Sequence, residues 1–357
     1  MSELKTNKIS TNDQNNVAID NALQLKSYTE VQRDALTAVA GDMIYNTDST
    51  SPEFYNGSSW EVLKTPTVTQ VDYLIIAGGG SGGNGQDSAA NGGGGGAGGY
   101  RTTWNSESNG GGSSTETPLT TIDTQTNYTV SVGAGGAQNS YENGGDSYFR
   151  NTNTGLDITS KGGGSGGGWS SVAAASGGSG GGAGGGGSNG ASALTSPTVQ
   201  GYGGGAMEGA SPYRAGGGGG AGEAGDTDGK SAGGDGLAST ITGSSVTRGG
   251  GGGGGGDSSL FPAGDGGGAN GVTYQSGSPP AAATANTGGG GGGGASRSYN
   301  KAGSQGGSGI IIFRYPNTYS ISVGTGVVWS GTEGTSGNDK YAVITGGTGN
   351  VSWYQGS

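Results

Sequence analysis

The sequence predicts a mainly β protein in which extended glycine helices pack against one another on a β scaffold. Three observations carry that reading. Glycine supplies 91 of 357 residues and comes in runs such as 249–256 and 288–294. The runs lie between two compact apolar strands, Val71-Asp72-Tyr73-Leu74-Ile75-Ile76-Ala77 and Ile310-Ile311-Ile312-Phe313. Where glycine thins out, strand alternation is legible, as at Tyr128, Val130 and Val132. Glycine buries no side chain and loses the most backbone entropy on folding, so these runs cannot form an ordinary core. If ordered, they must satisfy their N–H and C=O groups between neighbouring backbones. An extended left-handed backbone with three residues per turn does this, as the glycine counterpart of polyproline II.

Composition narrows the functional classes. The length permits two or three domains. Apolar residues make up 29% and charged residues 11%, which confines any conventional core to the β segments. A net charge of −11 argues against wrapping nucleic acid, where Lys and Arg must neutralise phosphates. Histidine and cysteine are both absent, which removes disulfides, thiol nucleophiles, imidazole bases and the usual zinc ligands. Met1–Ile9 carries two lysines but no apolar run, so no signal peptide is expected. Apolar stretches fall far short of the roughly 20 residues a membrane span needs. A soluble chain without membrane insertion or classical export follows.

Taken in order, residues 1–28 form a polar, Asn-rich docking arm with sparse apolar positions at Val17, Ile19, Leu23 and Leu25. Such an arm has little of its own to bury. Residues 29–64 make a small module. Thr29-Glu30-Val31-Gln32 fits a capping box, and a helix to about Val39 follows, with Gly41 as its stop. Met43-Ile44-Tyr45, Glu53-Phe54-Tyr55 and Trp60-Glu61-Val62-Leu63 read as strands, with Asn56-Gly57 opening a hairpin turn. Tyr45, Tyr55 and Trp60 are its expected core, and a unit this small gains from pairing or trimerising. The residues Arg33-Asp34-Ala35-Leu36, Gly41-Asp42-Met43-Ile44-Tyr45-Asn46 and Phe54-Tyr55-Asn56-Gly57-Ser58-Ser59-Trp60 resemble a module recurring in bacteriophage tail-fibre and virion structural proteins. Residues 65–70 read as a linker or, over Thr65–Thr69, a stiff strand lead-in.

The region 71–315 predicts strands at 71–77, 100–104, 117–122, 128–132, 146–150, 156–160 and 310–315. The glycine insertion is expected mainly at 162–307. Val71–Gly80, Gly94–Arg101, Tyr128–Gly136, Gly145–Phe149 and Gly309–Phe313, in that order, resemble the glycine-rich domain of marine phage structural proteins. They are similar also to the glycine-rich domain of anaplastic lymphoma kinase-type receptors. That resemblance implies a jelly-roll-like β-sandwich with an inserted polyglycine II helix bundle. In the closing segment, 316–357, Tyr319–Val323, Gly326–Trp329, Tyr341–Ile344 and Val351–Trp353 read as short strands. They form either a small β unit of their own or further strands of the sandwich.

Several motifs tempt a chemical reading. Gly78-Gly79-Gly80-Ser81-Gly82-Gly83 follows a strand and matches the dinucleotide pattern, but no helical periodicity follows to face a pyrophosphate. Ala224–Ser231 resembles a phosphate loop, yet alanine replaces its first glycine and no apolar strand precedes it. Asp226-Thr227-Asp228-Gly229 could open a calcium loop, but Leu237 stands where the closing glutamate belongs. No catalytic residue, cofactor or metal site is therefore expected. Among the aromatics of the glycine region, Trp104, Trp169, Tyr202, Tyr213, Phe261, Tyr274 and Tyr299, packing between helices competes with display at loop tips. Trp169, Tyr202, Tyr213 and Tyr274 are the expected receptor-binding residues, because rigid rings contact sugars or protein surfaces at low entropic cost.

By resemblance, the chain is a non-enzymatic phage tail-fibre or host-attachment protein, virion-borne and extracellular after release. It would act as a homotrimer, joined to other virion proteins through residues 1–64, and recognise a host cell-surface glycan or outer-membrane protein. A capsid fibre or decoration protein without receptor role, and a secreted bacterial adhesin or matrix protein, are the rival readings; the missing signal peptide counts against the adhesin. An ice-binding array would need regular three-residue spacing, which these runs lack.

Overall fold

The computed structural model describes residues 24–63, 67–86, 90–124, 126–169, 172–185, 187, 189–208, 213–256, 261–276, 278–295 and 302–356. The arm up to residue 23 and Tyr299 lie outside the described residues. Contacts divide the chain into two units, Met1–Thr65 and Pro66–Ser357.

In the first unit, β1 (Ser27–Tyr28), β2 (Met43–Asn46), β3 (Ser51–Tyr55) and β4 (Trp60–Val62) form a four-stranded sheet in that order, with β1 parallel to β2. The capping box forms as the sequence predicts: Gln32 N–H donates to Thr29 Oγ1, and Thr29 N–H donates to Gln32 Oε1. The helix, however, spans only Glu30–Asp34 rather than reaching Val39. Val39 and Asp42 instead close a turn, through Val39 N–H to Asp42 Oδ2 and Asp42 N–H to Val39 C=O. The expected aromatic core is also displaced. Tyr45, Tyr55 and Trp60 are half-buried, while Ile44, Asn46 and Glu53 are the buried residues. Arg33 reaches Glu53 at 3.0 Å and Asn46 donates to it at 2.8 Å. Burial pushes the Glu53 carboxyl up, but hydrogen bonds from Arg33, Asn46 and Ser49 outweigh it and hold the group below its usual range.

The second unit is built on antiparallel strands. β5 (Thr67–Val68) pairs with β8 (Ile122–Asp123). The main sheet runs β11 (Leu156–Ser160), β10 (Ser147–Asn151), β9 (Tyr128–Ser131), β18 (Asp339–Gln355), β14 (Ile310–Pro316), β6 (Asp72–Ile76) and β7 (Tyr100–Thr102). β15 (Tyr319–Val323), β16 (Val327–Trp329) and β17 (Gly334–Ser336) also pair with β18. The closing segment thus supplies strands of the sandwich. Two strands read separately from sequence, at 341–344 and 351–353, are one 17-residue strand. Its first part pairs with β14 and its second with β9, so it belongs to both halves of a nearly closed sheet. The expected strand 117–122 shrinks to β8 and a single Leu119–Val71 bridge, since Pro118 has no N–H to give a ladder.

Between the halves lies the principal core, with Tyr73, Ile75, Ile311 and Phe313 facing Tyr128, Val130, Phe149, Ile158 and Val351. Trp353 sits fully buried in it, edge-on to Phe313 at 5.3 Å and to Phe149, Tyr128 and Tyr315 at 6.0 Å. The alternate residues of β6 and β14, Leu74, Ile76, Ile310 and Ile312, face the other way onto Tyr100, Ala221 and Ile241. Both faces of these strands are covered, which is why they read as unbroken apolar runs.

The glycine runs pair with a period of three. From Gly92 onward, residues 92, 95 and 98 donate to the carbonyls of 294, 291 and 288, while 93, 96 and 99 donate to 167, 164 and 161. Residues 94 and 97 donate to 216 and 219. Each successive N–H thus points to a different neighbour and returns to the first after one turn, which is the polyglycine II arrangement. Gly249–Gly256 behaves alike: 252 and 255 pair with 95 and 92, 250, 253 and 256 with 266, 269 and 272, and 251 and 254 with 234 and 231. The bundle is wider than the expected 162–307, because 78–83 and 92–99 belong to it. That interval also contains a hairpin, β12 (Leu237–Ser239) with β13 (Val246–Arg248).

Candidate functional site

Pairing registers decide where the inter-helix turns fall. Helix 78–83 leaves the sandwich directly from β6, and helix 92–99 returns beside it, with Gly80 N–H on Gly96 and Gly83 N–H on Gly93, to enter β7. Helix 161–168 leaves from β11 and brings Gly167 to Gly93. Residues 84–86, 90–91 and 169 therefore lie at the end of the bundle remote from the sandwich. Arg214 bridges Gly256, which bridges Thr273, and Gly255 N–H donates to Gly92. Tyr213 and Tyr274 consequently lie at the same end.

Three of the four expected receptor-binding residues lie at that end. Trp169 and Tyr213 are each 38% exposed and Tyr274 is 41% exposed. Asn91 Nδ2 donates to the Tyr213 carbonyl at 2.6 Å and anchors that turn to the helix opposite. Arg214 lies over the ring of Phe261 at 5.8 Å and 3.7 Å from Glu208. Phe261 itself is buried, so it is scaffold for this surface. Tyr202 does not join the group. It is half-buried within a helix, donating its N–H to Gly220 and accepting at its C=O from Gly180, just past Gln200 at the sandwich end. The contribution of Asn91 and Arg214 was hidden in sequence; a polar residue standing just before a glycine run was the one available signal.

At the sandwich end, Trp104, Gln70, Asp72, Arg314 and Asp339 line a pocket of 220 Å³. The Arg314 guanidinium stacks on Trp104 at 4.0 Å while its Nε binds Asp339 at 2.9 Å. Burial, with the Asp339 charge, pushes the Asp72 carboxyl up against hydrogen bonds from Gln70 and Thr103. These groups satisfy one another and tie the sheet to its loops.

The chemical motifs resolve into structure. The N–H groups of residues 78–83 are all donated to backbone carbonyls of neighbouring segments, which leaves none for a phosphate. Asp226 caps a turn, with Oδ1 accepting from Gly217 and Ser231 N–H at 2.9 Å. Glu223, Asp228 and Asp235 bring carboxylate oxygens within 4.8 Å of one another. Burial first, then the Asp228 and Asp235 charges, push the Glu223 carboxyl up. Leu237 lies in β12 and offers that cluster no ligand. Among the described residues, no helix is long and apolar enough to cross a membrane.

A family model described as a glycine-rich domain matches residues 55–316. No curated protein and no solved structure matches the chain.

Proposed function

The chain belongs to the glycine-rich domain family, and from that premise we propose that it is a non-enzymatic host-attachment protein of a phage tail fibre, working in several copies, three by resemblance. The glycine-helix bundle is its rigid body, and the remote turns are its recognition surface. One observation carries this reading: Trp169, Tyr213 and Tyr274, far apart in sequence, are exposed on turns at one end of the bundle. A backbone locked from three sides holds still the helices that carry these rings, so little entropy is lost when a ring docks. Exposed aromatic anchors suit a saccharide ring or an outer-membrane protein, the partners expected from sequence. Residues 1–64 supply the attachment to other virion proteins.

Particles carrying Trp169→Ala, Tyr213→Ala or Tyr274→Ala test the proposal by adsorption to host cells. Truncating an anchor costs about 2 kcal/mol, roughly thirtyfold in affinity. At least one of the three should adsorb that much more weakly while assembling normally. Normal adsorption by all three would assign the rings to scaffold.

A further inference from the structure

Backbone pairing sets Arg214 among the exposed rings at the remote end of the bundle. Glu208 bridges Arg214, Arg214 bridges Gly256, and Gly256 bridges Thr273, so four segments lie side by side. At about 4.8 Å per pairing, Arg214 and Thr273 stand roughly 10 Å apart, with Tyr213 before the one and Tyr274 after the other. The backbone there is held from both sides: the Tyr213 carbonyl accepts from Asn91 Nδ2, and the Arg214 carbonyl accepts from Glu208 N–H. The Arg214 guanidinium lies over the ring of Phe261 at 5.8 Å, and that ring is buried, which gives the cation a fixed apolar floor. Its charge is met by Glu208 at 3.7 Å, too far for a hydrogen bond. Arg214 Nε and Glu208 Oε2 are both buried without a hydrogen-bond partner, and no guanidinium N–H of Arg214 is donated in a hydrogen bond among the described residues. The Arg214 side chain is 31% exposed, so a ligand can reach it.

We infer that Arg214 receives an acidic group, so that the ligand of this end is a saccharide bearing carboxylate or phosphate. The inference rests on the recognition surface proposed above and names its ligand class. A guanidinium drawn partly out of water and given no hydrogen bond is costly, and an arriving oxyanion removes that cost. Charge-assisted bonds to carboxylate or phosphate are roughly twice as strong as bonds to a neutral hydroxyl, and the planar fork matches both anions. Glu208 balances the charge but leaves the N–H groups free, so it competes with an arriving anion without taking its hydrogen bonds. A net charge of −11 opposes acidic polymers at long range, so capture of one depends on a local cation. The neighbouring tyrosines complete the match, since a sugar ring can lie on an aromatic face while its acidic substituent reaches the fork.

Surface plasmon resonance of the full chain over immobilised polygalacturonate, phosphomannan and dextran tests this; the first carries carboxylates, the second phosphates and the third no charge. Wild type should bind an acidic polymer roughly tenfold or more tightly than dextran, and which polymer it prefers identifies the anion. Arg214→Ala should lose roughly tenfold to hundredfold on that polymer. Arg214→Lys, which keeps the charge but not the fork, should recover only part of the loss. Glu208→Gln should bind more tightly than wild type, because a competing carboxylate is gone; a pair that merely braced the backbone would weaken binding in both variants. Unfolding profiles confirm that each variant is folded. Equal or better binding to dextran, an unchanged Arg214→Ala, or a Glu208→Gln that binds no more tightly overturns the inference. If the chain ignores all three polymers while particles carrying Arg214→Ala adsorb poorly to host cells, the partner is an acidic protein surface and the saccharide class falls. If particles carrying Arg214→Ala adsorb normally while the ring variants do not, the rings stand as the recognition surface without an anion site. Normal adsorption by all of them overturns the proposed recognition surface as well.

Discussion

Replacing Gly252 with alanine adds one methyl group in the interior of the glycine bundle, where backbone faces backbone. The new Cβ would press on Gly291 O and lie 2.6 Å from its carbonyl carbon, well inside contact distance. Backbone cannot rotate away as a side chain can, so the two helices must separate. Three hydrogen bonds hold that region: Gly252 N–H to Gly95, Gly218 N–H to Gly252, and Gly95 N–H to Gly291, at 2.9, 2.8 and 2.7 Å. Each is worth about 0.5–1.5 kcal/mol net, and a buried group left unpaired costs about 1–3 kcal/mol. Loss of unfolded-state entropy returns only about 0.4–1 kcal/mol. A net destabilisation of about 3 kcal/mol follows, or a fall in Tm of roughly 6–12 °C for a unit of this size. Gly346→Ala is the matched control, because its Cβ would stand 3.6 Å from the nearest atom, an ordinary contact with Val328. Calorimetry on both variants decides the matter. If Gly252→Ala and Gly346→Ala melt within about 1 °C of each other, close backbone packing is not what requires glycine there, and the reasoning fails.

Trp353→Ala should cost about 3–5 kcal/mol in denaturant unfolding, because it empties the centre of the sandwich core. Thr29→Ala removes the capping box and should destabilise the N-terminal unit by about 1 kcal/mol, read as early melting of that unit alone. Acidification should act oppositely on the two units. Glu53 is held low in the fold, so its contribution is present above the unfolded carboxylate value and is lost as pH falls through its folded value. Asp72, Glu223 and Asp226 are raised, each chiefly by burial, so their contribution is complete at low pH and is lost as pH rises through their folded values. Lowering the pH from 7 into the carboxylate range should first strengthen the large unit and then weaken the small one; parallel shifts of both transitions would refute the assignment.

By itself the sequence determined the β class, the capping box, and the strands at Tyr128, Leu156, Ile310 and Tyr319, because alternation and turn chemistry are local. It also required the glycine runs to find partners outside themselves, since they carry no side chains to bury. Which partners they find is beyond local reading: glycine next to glycine looks the same in every run, and only packing decides that Gly252 meets Gly95 and Gly291. That choice sets the direction of each helix, and so which turns share an end. Trp169, Tyr213 and Tyr274 are brought to one end of the bundle by it, while Tyr202, between Gly201 and Gly203, is held inside a helix. In the small unit the sequence showed aromatics on strands, but strand register and the Arg33–Glu53 pair determined which face closed. A one-residue change of register exchanges the faces of a strand, and that energy is settled between segments, not within them.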